Sequence, residues 1–241
     1  MEEFKSENYY YRLYGDYALF TDPQVRGGGE KFTYQVPTFQ SIVGITEQIY
    51  WKPTLKHIID EVVVINEIIT EPMGIRPVTK DGTANDLSYY TYLRDVEYFI
   101  KGHFVWSEQR ENLKSDRNEK KHQAIFNRSL ARGGRRDLFL GTRECVAFVE
   151  PITQEEYLSV NSFYKNQKLS LGLMYHSLSY PSDHGRNELI ANYDNCVMNS
   201  GVIKFSTPKE TSIHYTINDY SIKDFSMGLN LKSVDEEGGI L

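Results

Sequence analysis

Y-T-Y-L-R-D-V-E-Y-F-I-K-G-H-F-V-W, Tyr90 to Trp106, is the stretch on which the fold turns. It is dense in aromatic and β-branched residues, which fit a pleated, half-buried surface, so it reads as one long strand or a strand pair. Before it, Met73 to Asp86 gathers Pro, Gly, Asn and Asp and reads as a long loop or hairpin tip. Further back, E-V-V-V-I-N-E-I-I (Glu61 to Ile69) reads as a second strand. A helix is expected to begin near Thr38, with Ile42, Ile45 and Ile49 at helical spacing and Pro53 as its stop. The first strand is R-L-Y-G-D-Y-A-L-F, Arg12 to Phe20. The loop R-G-G-G-E-K-F, Arg26 to Phe32, follows it.

On the C-terminal side, D-R-N-E-K-K-H (Asp116 to His122) opens a second helix running to about Arg132. Asp116 is its expected cap, Glu119 completes a capping box, and Gly133 closes its far end. Ile125, Phe126 and Leu130 give it a narrow apolar face, and D-L-F-L-G-T-R-E-C-V-A-F-V-E (Asp137 to Glu150) is the next strand. The order is strand, helix, strand, strand, helix, strand. That is the α+β, ferredoxin-like β-α-β-β-α-β pattern shared by RNA-recognition domains and many metabolic enzymes. Residues 1–150 would form this unit. Residues 151–241, with runs such as L-S-L-G-L-M-Y-H-S-L and V-I-K-F-S, would form a smaller antiparallel β extension, ending in a frayed D-E-E-G-G-I-L tail.

No apolar run is long enough to cross a bilayer, and M-E-E-F-K-S-E-N carries no signal-peptide core, so a cytoplasmic location is expected. Cys145 and Cys196 are too few and too far apart for a disulfide framework or a metal knuckle. The net charge of -6 argues against nucleic acid only until it is resolved by segment. From Arg110 to Arg136 there are nine Lys/Arg and three Asp/Glu, a local +6 on an otherwise acidic chain. Such a stripe is either a salt-bridged helix face or a phosphate site.

The helix start sharpens that choice. A first turn favours acids, because the helix N-terminus is partially positive, yet Lys120, Lys121 and His122 crowd it. Cutting RNA without a metal requires a base for the 2′-OH, a cation for the phosphorane and an acid for the leaving 5′-oxygen. The unperturbed pKa of a histidine lies near neutrality, so His122 could serve as acid or base. Lys121 could hold phosphate charge, and the Tyr50 phenol could orient or deprotonate the 2′-OH. At the other end of the helix Arg132, Arg135 and Arg136 ring Gly133 and Gly134, a turn that is either a solvated cap or a place where backbone and guanidinium groups meet phosphates. No zincin, P-loop, nucleophile-elbow or deaminase motif is present, and His57, His103, His176, His184 and His214 are scattered. No cofactor and no metal site is expected.

These blocks together resemble a known family. Y-G-D-Y-A-L-F-T-D-P, R-G-G-G-E-K-F-T-Y-Q-V-P-T, I-Y-W-K-P-T, Y-Y-T-Y-L-R-D-V-E-Y, D-R-N-E-K-K-H and R-S-L-A-R-G-G-R-R-D-L-F-L-G-T-R-E-C are similar to the CRISPR-associated Cas-five family of subtype I-C, also called Dvulg. The match covers most of Tyr14 to Glu150 and is weaker beyond.

The resemblance implies a ferredoxin-like (RRM-like, repeat-associated mysterious protein) domain with a C-terminal sheet. It implies an endoribonuclease that cuts precursor transcripts within each repeat, near the 3′ base of the repeat hairpin and without a metal; attack by the 2′-OH would leave a 2′,3′-cyclic phosphate and a 5′-OH. The protein would then stay on the 5′ handle of the crRNA as a subunit of the type I-C interference complex, or Cascade. Its partners there would be the backbone and large subunits, with target DNA reached through the complex. The family's triad maps onto Tyr50, Lys121 and His122. Its glycine-rich loop maps onto Arg132 to Arg136. Lys31, Arg117, Lys120 and Arg143 complete the residues expected to contact RNA. Lys120 stands where relatives often carry His. Met73 to Asp86 maps onto a hairpin that relatives project into the guide or its neighbours. Two rival readings are a handle-binding subunit without activity and a metal-dependent DNA nuclease. The second finds no evident two-carboxylate metal site in the sequence.

Overall fold

A computed structural model describes residues 4–25, 29–76, 87–107 and 111–221. Tyr90 to Trp106 lies within one strand, β5 (Ser88–Trp106), and this strand is the spine of the molecule. It is flanked by β1 (Tyr9–Ala18) and β3 (Leu55–Val64), both antiparallel to it. β5 changes partner near Asp95, which takes φ 52. Beyond that point its first half pairs with β4 (Ile69–Ile75) instead of β3. The expected strand Glu61 to Ile69 is therefore corrected: its first residues end β3, and Ile69 begins β4. Met73–Ile75, expected in a loop, also belongs to β4, while 77–86 of that loop lies outside the described residues.

The sheet continues through β1 to β7 (Val146–Pro151) and the two-residue β6 (Leu138–Phe139). The single strand expected over Asp137 to Glu150 is thus two strands joined by a turn. Gly141 makes that turn with φ +96, and a Cβ there would sit 2.0 Å from the Leu19 carbonyl oxygen, so only glycine fits. On the other side β3 pairs with β10 (Val202–Lys204), then β9 (Glu188–Asn199), which carries β8 (Lys168–Ser179) and β11 (Ile213–Asp219). Among the described strands every pairing is antiparallel except that of β2 (Lys31–Phe32) with β5. The molecule is a mostly antiparallel sheet with few helices. The 26–28 part of the glycine loop and the D-E-E-G-G-I-L tail lie outside the described residues.

Among the described residues four α-helices dress the sheet: α1 (Phe39–Ile49), α2 (Glu119–Leu130), and the short α3 (Gln154–Ser159) and α4 (Pro181–His184). Thr38 caps α1 as expected, its hydroxyl accepting from the Ser41 N–H, and Ile42, Ile45 and Ile49 are buried. The start of α2 differs from expectation. Asp116 ends a 3₁₀ turn, Glu111–Asp116, and Asn118 is the cap, its side chain accepting from the Lys121 N–H. Glu119 does not close a capping box with Asp116; its carboxylate accepts from the Glu7 N–H at 3.0 Å. The far end is as expected. Gly133 takes φ +80, and the N–H groups of Gly133 and Gly134 reach back to Leu130 and Ser129. Phe126 and Leu130 are buried, with Ile125 partly so.

Candidate active site

Tyr50 ends α1 in an extended conformation, and His122 lies one turn into α2. The packing of these helices brings the Tyr50 phenol to 2.7 Å from His122 Nδ1. His122 Nε2 lies 2.9 Å from the Asp116 carbonyl oxygen. A carbonyl only accepts, so Nε2 carries a proton; in the neutral ring Nδ1 is then the acceptor and the phenol donates to it. His122 is 0% exposed, and its ring meets those of Phe104 and Trp106 at the end of β5. Burial pushes the Tyr50 hydroxyl above its ordinary pKa, opposed by the Arg135 guanidinium, which lies 4.8 Å over its ring.

Lys121 differs from its neighbour. Its side chain is about half exposed, and its ammonium bonds the Asp116 carboxylate. That carboxylate also accepts from the Thr54 hydroxyl at 2.7 Å. Lys121 first, and then Thr54, hold the Asp116 carboxyl at about 2. Asp116 therefore touches both members of the Lys-His pair, a role the sequence reading missed when it made Asp116 a cap.

The other predicted residues divide into two groups. Arg132, Gly134 and Arg135 line an open cleft of about 360 Å³ together with Ile125, Arg128 and Ser129. Arg128 and Ser129 were missed; they lie on the same helical face as Arg132, and that spacing is their signal in the sequence. Gly133 and Arg136 are exposed on the same turn. Lys120 is exposed beside Lys121. Three residues are held elsewhere: Arg117 donates to the Ser107 carbonyl at 3.0 Å, Lys31 lies over the Tyr90 ring, and Arg143 lies over Phe139. Among the described residues no group of three or more His, Cys, Asp or Glu side chains gathers as a metal site would. No described helix is long and apolar enough to cross a membrane.

The family model described as CRISPR-associated protein (Cas_Cas5), of the Cas5d type, matches residues 9–206. The chain belongs to this family, in subtype I-C. Two curated relatives carry the name CRISPR pre-crRNA endoribonuclease Cas5d. The one from Mannheimia succiniciproducens is 26% identical over 197 residues, covering 72% of this chain and 84% of the relative. The one from Thermus thermophilus is 28% identical over 191 residues, covering 74% and 76%. Among solved structures, one titled as a CRISPR-associated protein is 43% identical with a TM-score of 0.78, covering 90% of this chain and 100% of that one. A functionally uncharacterized protein from Streptococcus mutans is 44% identical with a TM-score of 0.77, covering 89% and 100%. The Cas5d match begins at the first residue of β1 and ends just past β10, so it covers β1 to β10 and the candidate site but not β11.

Proposed function

We propose that this Cas5d family member is a metal-independent endoribonuclease that cuts CRISPR precursor RNA within the repeat. The observation that carries this reading is the 2.7 Å contact between the Tyr50 phenol and His122 Nδ1, with Lys121 on the adjoining residue. Two groups that exchange a proton and one cation supply what attack by a 2′-OH requires. In this reading the phenol oxygen takes the 2′-OH proton as its own passes to His122 Nδ1. The 2′-oxygen bonds to phosphorus, Lys121 offsets the phosphorane charge, and the bond to the 5′-oxygen breaks. The proton held by the pair then neutralises the leaving oxygen, giving a 2′,3′-cyclic phosphate and a 5′-OH. The names of the curated relatives support the same activity.

The finer architecture belongs to the same proposal. The strand order β7-β1-β5-β3, with α1 and α2 as the crossing helices, favours the ferredoxin-like description for residues 1–150. Residues 151–241 are the proposed β extension. The cleft of Arg128, Arg132 and Arg135, with Lys120, Gly133, Gly134 and Arg136, is the proposed path for the repeat hairpin and the retained 5′ handle. Lys31, Arg117 and Arg143 are proposed as further RNA contacts outside that cleft. The protein would remain in the type I-C Cascade beside its backbone and large subunits, meeting target DNA only through the complex.

A second reading, a handle-binding subunit without activity, is favoured by one observation: both ring nitrogens of the fully enclosed His122 are engaged. The two readings separate in one experiment. A repeat hairpin RNA is incubated with the protein in EDTA, beside the same RNA carrying a single 2′-deoxy nucleotide 5′ of the scissile phosphate. Cleavage of the first alone supports the enzyme. Tight binding without cleavage of either leaves the handle-binding subunit.

A further inference from the structure

The geometry points to His57 as a positioning residue for Tyr50. This rests on the catalytic reading of Tyr50 above. His57 is on β3 and nearly fully buried. Its Nε2 lies 2.8 Å from the Tyr50 carbonyl oxygen and its Nδ1 lies 3.1 Å from the Tyr9 hydroxyl. The carbonyl again fixes the tautomer: Nε2–H donates, and Nδ1 accepts from Tyr9. Burial holds the His57 pKa down at about 4, so the ring stays neutral and keeps this arrangement across the neutral range. The groups around His57 are Tyr9, the Tyr50 backbone and the tilted ring of Phe126, and His103 also acts on its charge.

Tyr50 is thereby held at three points. Its N–H bonds the Thr46 carbonyl at the end of α1, its carbonyl bonds His57, and its ring lies under Arg135. The first two fix the backbone, and the ring contact fixes the side chain. What remains is the direction of the phenol, and that direction is His122. A continuous series results: Tyr9 to His57, His57 to Tyr50, Tyr50 to His122, His122 to Asp116. Helix α1 ends at Ile49, and among the described residues no other hydrogen bond beyond the helix fixes the Tyr50 carbonyl. A shift of about 1 Å at a reacting group costs roughly 100-fold in rate.

The test compares full-length wild type with His57→Leu, His57→Gln and, as a control, His176→Leu. His176 is also buried and also bonds a backbone carbonyl, that of Ser206, away from this site. The readouts are single-turnover cleavage of the repeat hairpin, its dissociation constant, thermal stability, and the ring ¹⁵N signals of His122. His57→Leu is expected to slow cleavage roughly 100-fold, with RNA affinity unchanged and the His122 Nδ1 signal shifted. His57→Gln, whose amide can donate to the same carbonyl, is expected to restore both. His176→Leu is expected to lose stability while its folded fraction cleaves at the wild-type rate.

An unshifted His122 signal in His57→Leu overturns the proposal, as does an equal loss of rate in both leucine variants. Should His57→Leu fail to fold, Tyr9→Phe replaces it: a shifted His122 signal supports the positioning role, and an unshifted one overturns it. If wild type cuts nothing, the proposed activity fails, while the His122 signals still decide whether His57 positions Tyr50.

Discussion

The two ends of α2 both carry cations, but in opposite circumstances. At the start, Lys121 is paired with Asp116 and His122 is enclosed with both ring nitrogens engaged. At the far end Arg128, Arg132 and Arg135 line an open cleft, and among the described residues no ion pair joins them to a carboxylate. An enclosed, fully partnered side chain has one direction in which to act, which suits a reaction needing a few tenths of an ångström of accuracy. Exposed guanidinium groups suit the tracking of a charged backbone, where charge matters more than exact position. In the proposed function, chemistry falls to one end of α2 and affinity to the other.

The contrast breaks most readily at His122. His122→Ala is expected to lower single-turnover cleavage by a factor of roughly 10² to 10⁴ while hairpin affinity stays near wild type. A parallel fall in affinity, read by filter binding, would put the two ends in the same role. The opposite result is expected for the double substitution Arg128→Ala with Arg132→Ala. It should weaken RNA binding about tenfold at moderate salt and flatten the plot of log affinity against log salt by about 1.4, two contacts at about 0.7 each. The bound RNA should still be cut at close to the wild-type rate.

Gly133→Ala tests the turn between the cleft and the sheet. Nothing lies within 4 Å of an added Cβ, so the cost is the φ of +80 alone, about 1 kcal/mol in a denaturant melt. The smallest effect concerns acid. Asp116 is depressed in the folded protein, so its contribution is fully present above its unfolded value near 3.8 and is lost as pH falls through about 2. The melting temperature of wild type is expected to fall more steeply between pH 4 and about 2 than that of Asp116→Asn.

Local pattern carried the reading as far as local physics decides structure. The first helix, the long β5, the Gly133 cap and the basic stripe were legible because each depends on residues near one another in sequence. Tyr50, Lys121 and His122 were named by combining residue chemistry with family resemblance. The reading went astray where packing decides. Val62, Val63 and Val64 read straight on to Ile69, but β5 has two partners and the chain must leave one position and return at another. Gly141 was read as part of a strand because its close approach to Leu19 is not a sequence property. His57 was one of five scattered histidines. Its contact with Tyr50 depends on how the chain turns between α1 and β3, and nothing in W-K-P-T announces which carbonyl the imidazole will meet.

The position of β1 has a consequence for synthesis on the ribosome. β1 is the first of the described strands to be made, and both of its partners come late: Tyr9 pairs with Gly102, and Leu13 with Val149. At roughly 5 to 20 residues per second, the nascent chain waits about 5 to 20 s before Tyr9 has a neighbour. During that interval Tyr9, Tyr11 and Leu13, which end wholly buried, have no sheet to enter. The spine of the finished molecule is thus the segment that releases its beginning from risk. Any pause in translation before Ser88 would lengthen the time in which the emerging chain can aggregate.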